Sequence, residues 1–268
     1  MKFHAFLKEL QKKSRLHFTF EEAVKATKSS KGSLSAKIYH LKKKGTLISP
    51  FKGLYIIIPL AYKDVGSLNP KEVVTIAMEF LQAPYYVGLL TAARHHGATH
   101  QGLFVFQVVS SKRIKKEIIS GDTSIQFIYK RDIAAVETKK QVVDAGYLPI
   151  STPEETAKDV ITYYRQCGGL NHQATVLAEL TAVLNSRKLV ALAKRSGKFF
   201  WVQRMGYILE HIDTFYEKER DRVILSLEKF LQSQKLRYVP LAPEMPTKGK
   251  PHNRKWKIIE NATVESDI

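Results

Sequence analysis

The chain has 268 residues, with 43 lysines and arginines against 25 aspartates and glutamates, and its formal net charge is +18. A chain of this length can bury a sizeable core and is expected to form two domains. Its single cysteine, Cys167, excludes an internal disulfide and a zinc site made of several cysteines. No apolar run approaches the roughly 20 residues that span a bilayer, and Lys8, Lys12 and Lys13 interrupt the first segment where a signal peptide would be apolar. We therefore expect a cytoplasmic protein.

The positive charge is concentrated near the start of the chain. Residues 1–62 contain 13 basic and 3 acidic side chains, a net of +10, whereas the rest of the chain contains 30 and 22, a net of +8. A small and strongly basic module is typical of a domain that binds the phosphates of nucleic acid. A solvated lysine surface that only maintains solubility would have the same composition, so the pattern of elements has to decide.

The first elements are predicted to be two helices and a turn. Four apolar residues at helical spacing predict the first helix: Phe3, Phe6, Leu7 and Leu10. Thr19, followed three residues later by Glu22, predicts a capping box that opens a short second helix. The polar turn 28–32 then offers Ser29 and Ser30 as caps for a third helix.

The third helix has one apolar stripe and one basic face. Leu34, Ile38 and Leu41 recur at i, i+4 and i+7, which places them on one side of a helix. The other faces hold small or cationic groups that suit a DNA groove: Ser33, Ala36, Lys37, His40 and Lys44. Gly45 is placed to end the helix in a left-handed cap.

A hairpin follows this helix. Residues 46–49 and 54–58 are predicted to be short strands that residues 50–53 join. Three helices and a hairpin in this order predict a winged helix-turn-helix that binds duplex DNA. The predicted DNA-binding residues lie on the third helix, its cap and the wing: Ser30, Lys31, Ser33, Lys37, His40, Lys42, Lys43, Lys44 and Lys52.

We place the domain junction in the segment 59–70, where proline, glycine and asparagine break the periodicity. The predicted domains are therefore 1–62, the winged helix-turn-helix, and 63–268. Mixed strands followed mostly by helices predict that the second domain is a larger, mostly helical α+β domain. Its helices are predicted at 70–81, 85–96, 152–166, 172–194, 202–215 and 221–234. Its strands are predicted at 103–109, 118–119, 125–129, 142–143 and 255–260.

Thr152 and its neighbours predict the start of the helix 152–166. Thr152 is a plausible cap, Pro153 occupies the first helical position, and Glu155 would close a capping box. Gly168 would end this helix.

Two catalytic or metal-binding interpretations are weak. His95, His96 and His100 could hold zinc, but Gly97 interrupts the helix and no cysteine or nearby carboxylate completes the site. The second interpretation is a metal-dependent nuclease with Glu137 and Lys139 and with Asp122 or Asp132 upstream, but this spacing is generic and a charged loop explains it. No phosphate loop, serine elbow or cysteine–histidine pair is present. We therefore expect neither an enzyme nor a cofactor.

Three further basic runs could contact nucleic acid, two of them beside aromatic side chains. Solvated lysines that stand next to aromatic residues of the core would produce the same sequence pattern. The runs are Lys112, Arg113, Lys115 and Lys116; Lys194, Arg195 and Lys198 before Phe199, Phe200 and Trp201; and Arg254, Lys255 and Lys257 around Trp256.

Several phrases of the sequence resemble the AbiEi family, the antitoxins and transcriptional regulators of type IV abortive-infection toxin–antitoxin systems. The LKKKG turn and the GLY that opens the second wing strand resemble its winged-helix domain. Later phrases resemble blocks of its C-terminal domain: YYVGLLTAARHHGA from Tyr85, STPEETAKDVI from Ser151, RMGYILE from Arg204 and NRKWKIIEN from Asn253. The similarity spans nearly the whole chain in order.

The resemblance implies two functions. The N-terminal domain would bind inverted repeats of operator DNA and repress its own operon, at the nucleoid of a bacterium. The C-terminal domain would counteract a nucleotidyltransferase-like toxin without a stable complex and without a membrane partner, in defence against phage. Arg94, Arg204 and Arg254 are the candidate residues for that role, and Glu155 stands where the family block usually has arginine.

Two other functions stay open at this point. One is a winged-helix transcriptional regulator whose C-terminal domain senses a ligand or mediates assembly. The other is a nuclease or RNA-modifying enzyme that a winged helix guides, which would require Glu137 and Lys139 to converge with an aspartate.

Overall fold

The computed structural model describes residues 1–62, 68–98 and 104–265, and the chain divides into two compact units. Unit 1 takes the described residues within 1–86, 104–134 and 140–149, and unit 2 takes those within 87–103, 135–139 and 150–268. Both units contain helices and strands, so the predicted α+β class is confirmed. In the part of the chain that the structure describes, no helix has the length and apolar character to cross a membrane.

The first part of unit 1 consists of three helices and a small sheet. In chain order the elements are α1 (Phe3–Lys12), β1 (His17–Thr19), α2 (Phe20–Thr27), α3 (Lys31–Lys43), β2 (Leu47–Ile48) and β3 (Leu54–Ile57). The strands pair antiparallel in the order β1-β3-β2. This arrangement is compatible with the predicted winged helix-turn-helix. The sequence pattern had not indicated β1, which is only three residues long.

The predicted caps explain where these helices begin and end. Thr19 Oγ1 accepts a hydrogen bond from the Glu22 amide at 3.2 Å, and the Glu22 carboxylate accepts one from the Thr19 amide at 2.7 Å, so the capping box is complete. Ser30 caps α3 by accepting from the Ser33 amide. Gly45 has a φ of +66°, the left-handed conformation predicted for it after α3.

One apolar core holds these three helices to the small sheet. Phe18 of β1 contacts Phe3 and Phe6 of α1 edge to face, with ring centroids 5.9 and 5.5 Å away. The core continues through residues from every helix and from both wing strands: Leu7, Leu10, Ala23, Leu34, Ile38, Leu47 and Ile57. The apolar stripe of α3 is thus its buried side, which leaves the basic face outside.

The elements that follow the wing include the strands of a larger sheet. The elements after the wing are α4 (Pro70–Leu81), β4 (Tyr85–Val87), α5 (Leu89–His95), β5 (Val105–Ser110), β6 (Ile118–Ser120), β7 (Thr123–Tyr129), β8 (Thr138–Val143) and β9 (Gly146–Ser151). The strands lie in the order β6-β7-β5-β4-β9-β8. β5 runs parallel to β7 and β4 runs parallel to β9, whereas β6 and β7 form an antiparallel pair.

The predicted helix 85–96 is wrong in its first part. Tyr85–Val87 is a strand, in which Val87 pairs with Ile150, and α5 begins only after Gly88. A short apolar run has no periodicity that separates a buried strand from a helix, which is why the sequence did not reveal this break. The predicted junction 59–70 falls partly on residues 63–67 and the predicted strand 103–109 starts at Leu103; both lie partly outside the described residues.

Unit 2 is mostly helical. Its elements are α6 (Pro153–Thr162), α7 (Gly169–Leu180), α8 (Ser186–Ser196), α9 (Phe200–Glu210), α10 (Glu217–Gln232), β10 (Val239–Pro240), β11 (His252–Asn253) and β12 (Ile258–Ile259). The last three strands form a small sheet in the order β10-β12-β11.

Two sequence predictions in unit 2 need correction. The predicted helix 172–194 is two helices, because the side chain of Asn185 accepts hydrogen bonds from the Arg187 and Lys188 amides and so begins α8 anew. The predicted strand 255–260 is a strand only at Ile258–Ile259. Asn253 Oδ1 accepts from the Trp256 amide, and this turn occupies the start of the predicted run.

Candidate functional site

The exposed faces of α3 present the predicted DNA-binding side chains to solvent. Leu34 and Ile38 are buried and Leu41 is half-buried, so these three residues fix the orientation of the helix. Every residue predicted to contact DNA is exposed: Ser30, Lys31, Ser33, Lys37, His40, Lys42, Lys43, Lys44 and Lys52. All of these residues except Lys52 lie on α3 or its two caps, so they form one continuous surface.

Tyr39 is an additional member of this surface that the sequence prediction missed. Its side chain is 55% exposed, the Lys43 ammonium lies 5.2 Å from its ring centroid, and the His40 ring meets it edge to face at 6.0 Å. An exposed aromatic ring under a lysine can stack or make an apolar contact with a base or sugar. Helical periodicity could have identified Tyr39, because it lies five residues after Leu34 and outside the apolar stripe.

The wing is fastened to the larger sheet of unit 1. Phe51 packs against Phe127 of β7, with ring centroids 6.2 Å apart. The Lys116 ammonium donates a hydrogen bond to the Pro50 carbonyl at 2.7 Å and another to the Ser49 carbonyl at 3.4 Å. These contacts fix the wing turn while the side chain of Lys52 stays exposed.

The first of the three further basic runs is therefore partly structural. Lys116 holds the wing, and the Arg113 guanidinium lies 4.5 Å from the ring centroid of Tyr129. Lys112 and Lys115 are exposed. Arg113 and Lys116 are exposed as well, but each already contacts another group of unit 1, so Lys112 and Lys115 are the better candidates of this run.

In unit 2, the block that begins at Ser151 contributes a buried carboxylate, Glu155, to an ion cluster whose other members are partly exposed. The Glu155 side chain is 2% exposed, and its carboxylate forms ion pairs with Arg195 and Lys158, each at 3.0 Å. Arg195 also pairs with Glu137 at 2.6 Å. A buried carboxylate requires such partners, because the desolvation of an unpaired charge is costly.

This ion cluster corrects two readings of the sequence. Thr152 does cap α6, but Glu155 does not close the capping box, since its carboxylate is turned toward the two cations and the Glu137 amide. Glu137, one of the residues of the nuclease interpretation, is an ion-pair partner of Arg195. The negative charge of Glu155 is thus compensated within this fold.

The three arginines proposed for antitoxin activity have different environments. Arg94, in the last turn of α5, and Arg254, after β11, are exposed. Arg204 is half-buried on α9; its Nε donates to the Pro240 carbonyl at 3.0 Å, and its guanidinium lies 5.4 Å from the Phe200 ring centroid. Burial lowers the pKa of Arg204. Arg204 therefore joins two elements of unit 2, whereas Arg94 and Arg254 are accessible to a ligand.

The two tryptophans of the other basic runs belong to the interior of unit 2, whereas Phe199 and Phe200 are half-buried. Trp201 and Trp256 are fully buried, and the Trp256 Nε1 donates to the Glu210 carboxylate at 2.6 Å. Lys255 forms ion pairs with Glu210 and Glu228. A buried indole cannot stack on a base, so the position of each tryptophan beside basic residues reflects packing.

His96 and Cys167 are held inside the fold rather than presented to a ligand. His96 Nε2 lies 2.8 Å from the Ser151 carbonyl, to which it donates, and burial lowers the pKa of this imidazole. His100 lies outside the described residues. Cys167 is buried, and burial together with the Asp159 carboxylate raises the pKa of its thiol. Within the described ranges, no three histidine, cysteine or acidic side chains come together as metal ligands.

Comparisons with known proteins agree with the sequence resemblance. Residues 86–211 match the family model of the AbiEi antitoxin C-terminal domain. A comparison with curated proteins gives no match. The crystal structure of the RV2827C protein from Mycobacterium tuberculosis is similar, with a TM-score of 0.63 and 16% sequence identity over 94% of this chain and 89% of the other. At this identity the similarity shows a shared fold alone.

The matched segment runs from the second residue of β4 to the end of α9. It contains the blocks that begin at Ser151 and Arg204 and nearly all of the block from Tyr85, while the block from Asn253 lies beyond it. Over this segment, the chain is similar to the C-terminal domain of AbiEi antitoxins.

Proposed function

We propose that this protein is a DNA-binding antitoxin that represses its own operon by binding inverted repeats and that counteracts a nucleotidyltransferase-like toxin without a stable complex. The observation that carries the DNA-binding part is the α3 surface. The eight residues of α3 and its caps that are predicted to contact DNA are all exposed. The buried side chains of α3, Leu34 and Ile38, both belong to its apolar stripe. The proposal involves no catalytic step, metal or cofactor.

The α3 surface supplies the two kinds of contact that a DNA-binding helix needs. Lys37, His40 and Ser33 can hydrogen-bond base edges in the major groove, and Tyr39 adds an apolar edge. Lys42, Lys43, Lys44 and the wing residue Lys52 can neutralise phosphates, which supports binding to any duplex. Sequence specificity then depends on the first group and salt-dependent affinity on the second.

We assign DNA binding to the predicted domain 1–62 and antitoxin activity to 63–268. The family match covers residues 86–211, entirely within the second range, which supports this division of roles. Arg94 and Arg254 are the accessible cations that could shield or compete for a phosphate-bearing substrate of the toxin. Arg204 would act by keeping α9 and Pro240 together.

A gel shift with the DNA upstream of the protein's own operon tests the first function. Replacement of Lys37 and His40 by alanine should weaken specific binding by about 1–3 kcal/mol for each residue that touches a base edge. The matched control replaces Lys8 and Lys12, which are exposed on α1. Equal affinity of the two double variants would refute the assignment of α3 as the recognition helix.

Co-expression with the adjacent gene, scored as growth, tests the second function. The Lys37→Ala, His40→Ala variant should still rescue growth, because the antitoxin activity is assigned to another part of the chain. Expression has to be driven from a foreign promoter, so that loss of repression does not change the dose. A protein that binds its operator but never rescues growth would instead be a regulator whose C-terminal domain senses a ligand or mediates assembly.

A further inference from the structure

A cleft lies beside α3, between this helix and the start of α1. Its volume is about 870 Å³. Its wall on α3 consists of Lys37, His40, Leu41 and Lys44, which follow one another at i, i+3, i+4 and i+7 and so share one helix face. The opposite wall is formed by the first residues of the chain and the end of α2: Met1, Lys2, Phe3, His4, Thr27 and Ser29.

The chemistry of this cleft is that of an anion site. Three lysines and two histidines line it, and none of the described residues that line it carries a carboxylate. Lys2, His4, Lys37, His40 and Lys44 are all exposed. Cations that converge on one concavity repel one another, and a bound polyanion removes that repulsion.

Several features make phosphate the fitting anion. Ammonium groups supply charge and hydrogen bonds to its oxygens, imidazole N–H groups can donate further hydrogen bonds, and the positive end of the α1 dipole lies at the same wall. Phe3 and Leu41 add apolar surface that a sugar or base could cover. The volume lies within the usual range of about 300–1,000 Å³ for small-ligand sites.

We propose that this cleft binds phosphate groups, carried either by the backbone of duplex DNA or by a free nucleotide. For the DNA source, this inference rests on the proposed function: Lys2 and His4 of the α1 wall join Lys44 as phosphate contacts, while Lys37 and His40 keep their assignment to base edges. For the nucleotide source it stands alone, and an occupant of the cleft would compete with DNA for Lys37, His40 and Lys44.

The first arm of the test measures the affinity of the full chain for operator duplex over a range of salt concentrations. Lys2→Ala should reduce the slope of log affinity against log salt by about one unit, because one phosphate contact is lost. At one salt concentration it should weaken binding about two- to fivefold, as expected for an exposed ion pair. Lys8→Ala, on the same helix but outside the cleft, is the control and should change neither quantity.

The second arm titrates the DNA-free full chain with a nucleoside triphosphate and, separately, with inorganic pyrophosphate. Binding should be lost in Lys2→Ala and Lys44→Ala and retained in Lys43→Ala, the adjacent lysine that does not line the cleft. An added nucleoside triphosphate should also release the duplex from the wild-type protein but not from Lys2→Ala.

The outcomes separate the inference from the proposed function. A changed slope in Lys2→Ala alone supports the DNA backbone as the occupant, and nucleotide binding that depends on Lys2 and Lys44 supports the free ligand. If wild-type protein binds the duplex, Lys2→Ala behaves as Lys8→Ala, and no nucleotide binds, the cleft is not a phosphate site although the protein binds DNA. Nucleotide binding that survives in both Lys2→Ala and Lys44→Ala would overturn the inference as well.

Discussion

Gly206 lies directly against the indole ring of Trp256. A Cβ atom built on Gly206 would be 2.0 Å from Cζ3 of Trp256 and 2.3 Å from two further ring atoms. One helical turn later, Glu210 accepts the hydrogen bond of the indole Nε1. Gly206 therefore leaves the space for the ring and Glu210 fixes its orientation, which ties the family block from Arg204 to the block from Asn253.

We expect Gly206→Ala to destabilise the protein strongly. The methyl group cannot move away on a helix, so either Trp256 or α9 has to shift, and overpacking of a core typically costs about 1–3 kcal/mol and occasionally more. The measurement is the free energy of unfolding in urea. Gly32→Ala is the control: a Cβ there meets nothing within 4 Å, so this substitution should leave stability unchanged or raise it slightly.

The ion cluster around Glu155 leads to a charge-swap prediction. Glu155→Arg would place a third cation against Arg195 and Lys158 and should lower the free energy of unfolding by about 1–3 kcal/mol, less than for a fully buried pair because Arg195 is partly exposed. The double variant Glu155→Arg, Arg195→Glu should recover part of that loss.

The control for this charge swap is Glu9→Ala, which removes an exposed pair with Lys13. Its effect should be about 0.5 kcal/mol or less. A double variant as unstable as the sum of its two single variants would show that the partners do not interact.

The ion cluster also marks the limit of the sequence prediction. Caps, apolar stripes and the basic face of α3 depend on residues a few positions apart, and the sequence predicted them correctly at Thr19, Ser30 and Gly45. Lys158 is a local partner of Glu155, but its other two partners lie 40 residues after it at Arg195 and 18 residues before it at Glu137. Which of several cations meets a given carboxylate is decided by tertiary packing, which no local pattern contains.

The wing shows the same limit. Its turn was predictable from residues 50–53, whereas its attachment to Phe127 and Lys116 was not, because those residues follow more than 60 positions later. The consequence for the candidate site is that Lys116 looked like one more DNA contact and is instead a support of the wing.

We expect Phe127→Ala to weaken DNA binding without removing a DNA contact. Loss of the ring that packs on Phe51 should loosen the wing and so the position of Lys52. Affinity should fall while the slope of log affinity against log salt stays unchanged, since no charge is lost. Lys52→Ala is the comparison and should lower that slope by about one unit. An unchanged affinity in Phe127→Ala would show that the attachment is irrelevant to DNA binding.

Cys167 should be inert toward thiol reagents in the folded protein. The thiolate is the reactive species, and burial, with the nearby Asp159 carboxylate, raises the pKa of this thiol. We expect no rapid labelling by a thiol-specific chromogenic reagent at neutral pH and one equivalent after denaturation. Ser35→Cys, which adds an exposed thiol on α3, is the control and should label immediately with one equivalent. Rapid labelling of the wild-type protein would contradict the buried position.

The stability of the protein should fall in mild acid, in part because of His96. Burial lowers the pKa of His96 in the folded state, and the Lys139 charge acts in the same direction. The hydrogen bond that the ring donates to the Ser151 carbonyl acts in the opposite direction but does not cancel the effect of burial. The folded state then binds a proton less readily than the unfolded state. Its contribution is complete above the ordinary pKa of about 6.5 and is lost as the pH falls through that value toward the lowered pKa. Burial also lowers the pKa of His17, so part of the dependence should remain in any His96 variant.

His96→Gln isolates this contribution, because the glutamine amide can still donate a hydrogen bond and does not titrate. Urea unfolding should be measured at about pH 7.5 and about pH 5.5, which lie on either side of the ordinary histidine pKa of about 6.5. From the higher to the lower pH, this variant should lose less stability than the wild type. His4→Gln, which removes an exposed imidazole from α1, is the matched control and should follow the wild type. Equal losses in His96→Gln and in the wild-type protein would mean that the pKa of His96 is the same in the folded and the unfolded chain, which would contradict this prediction.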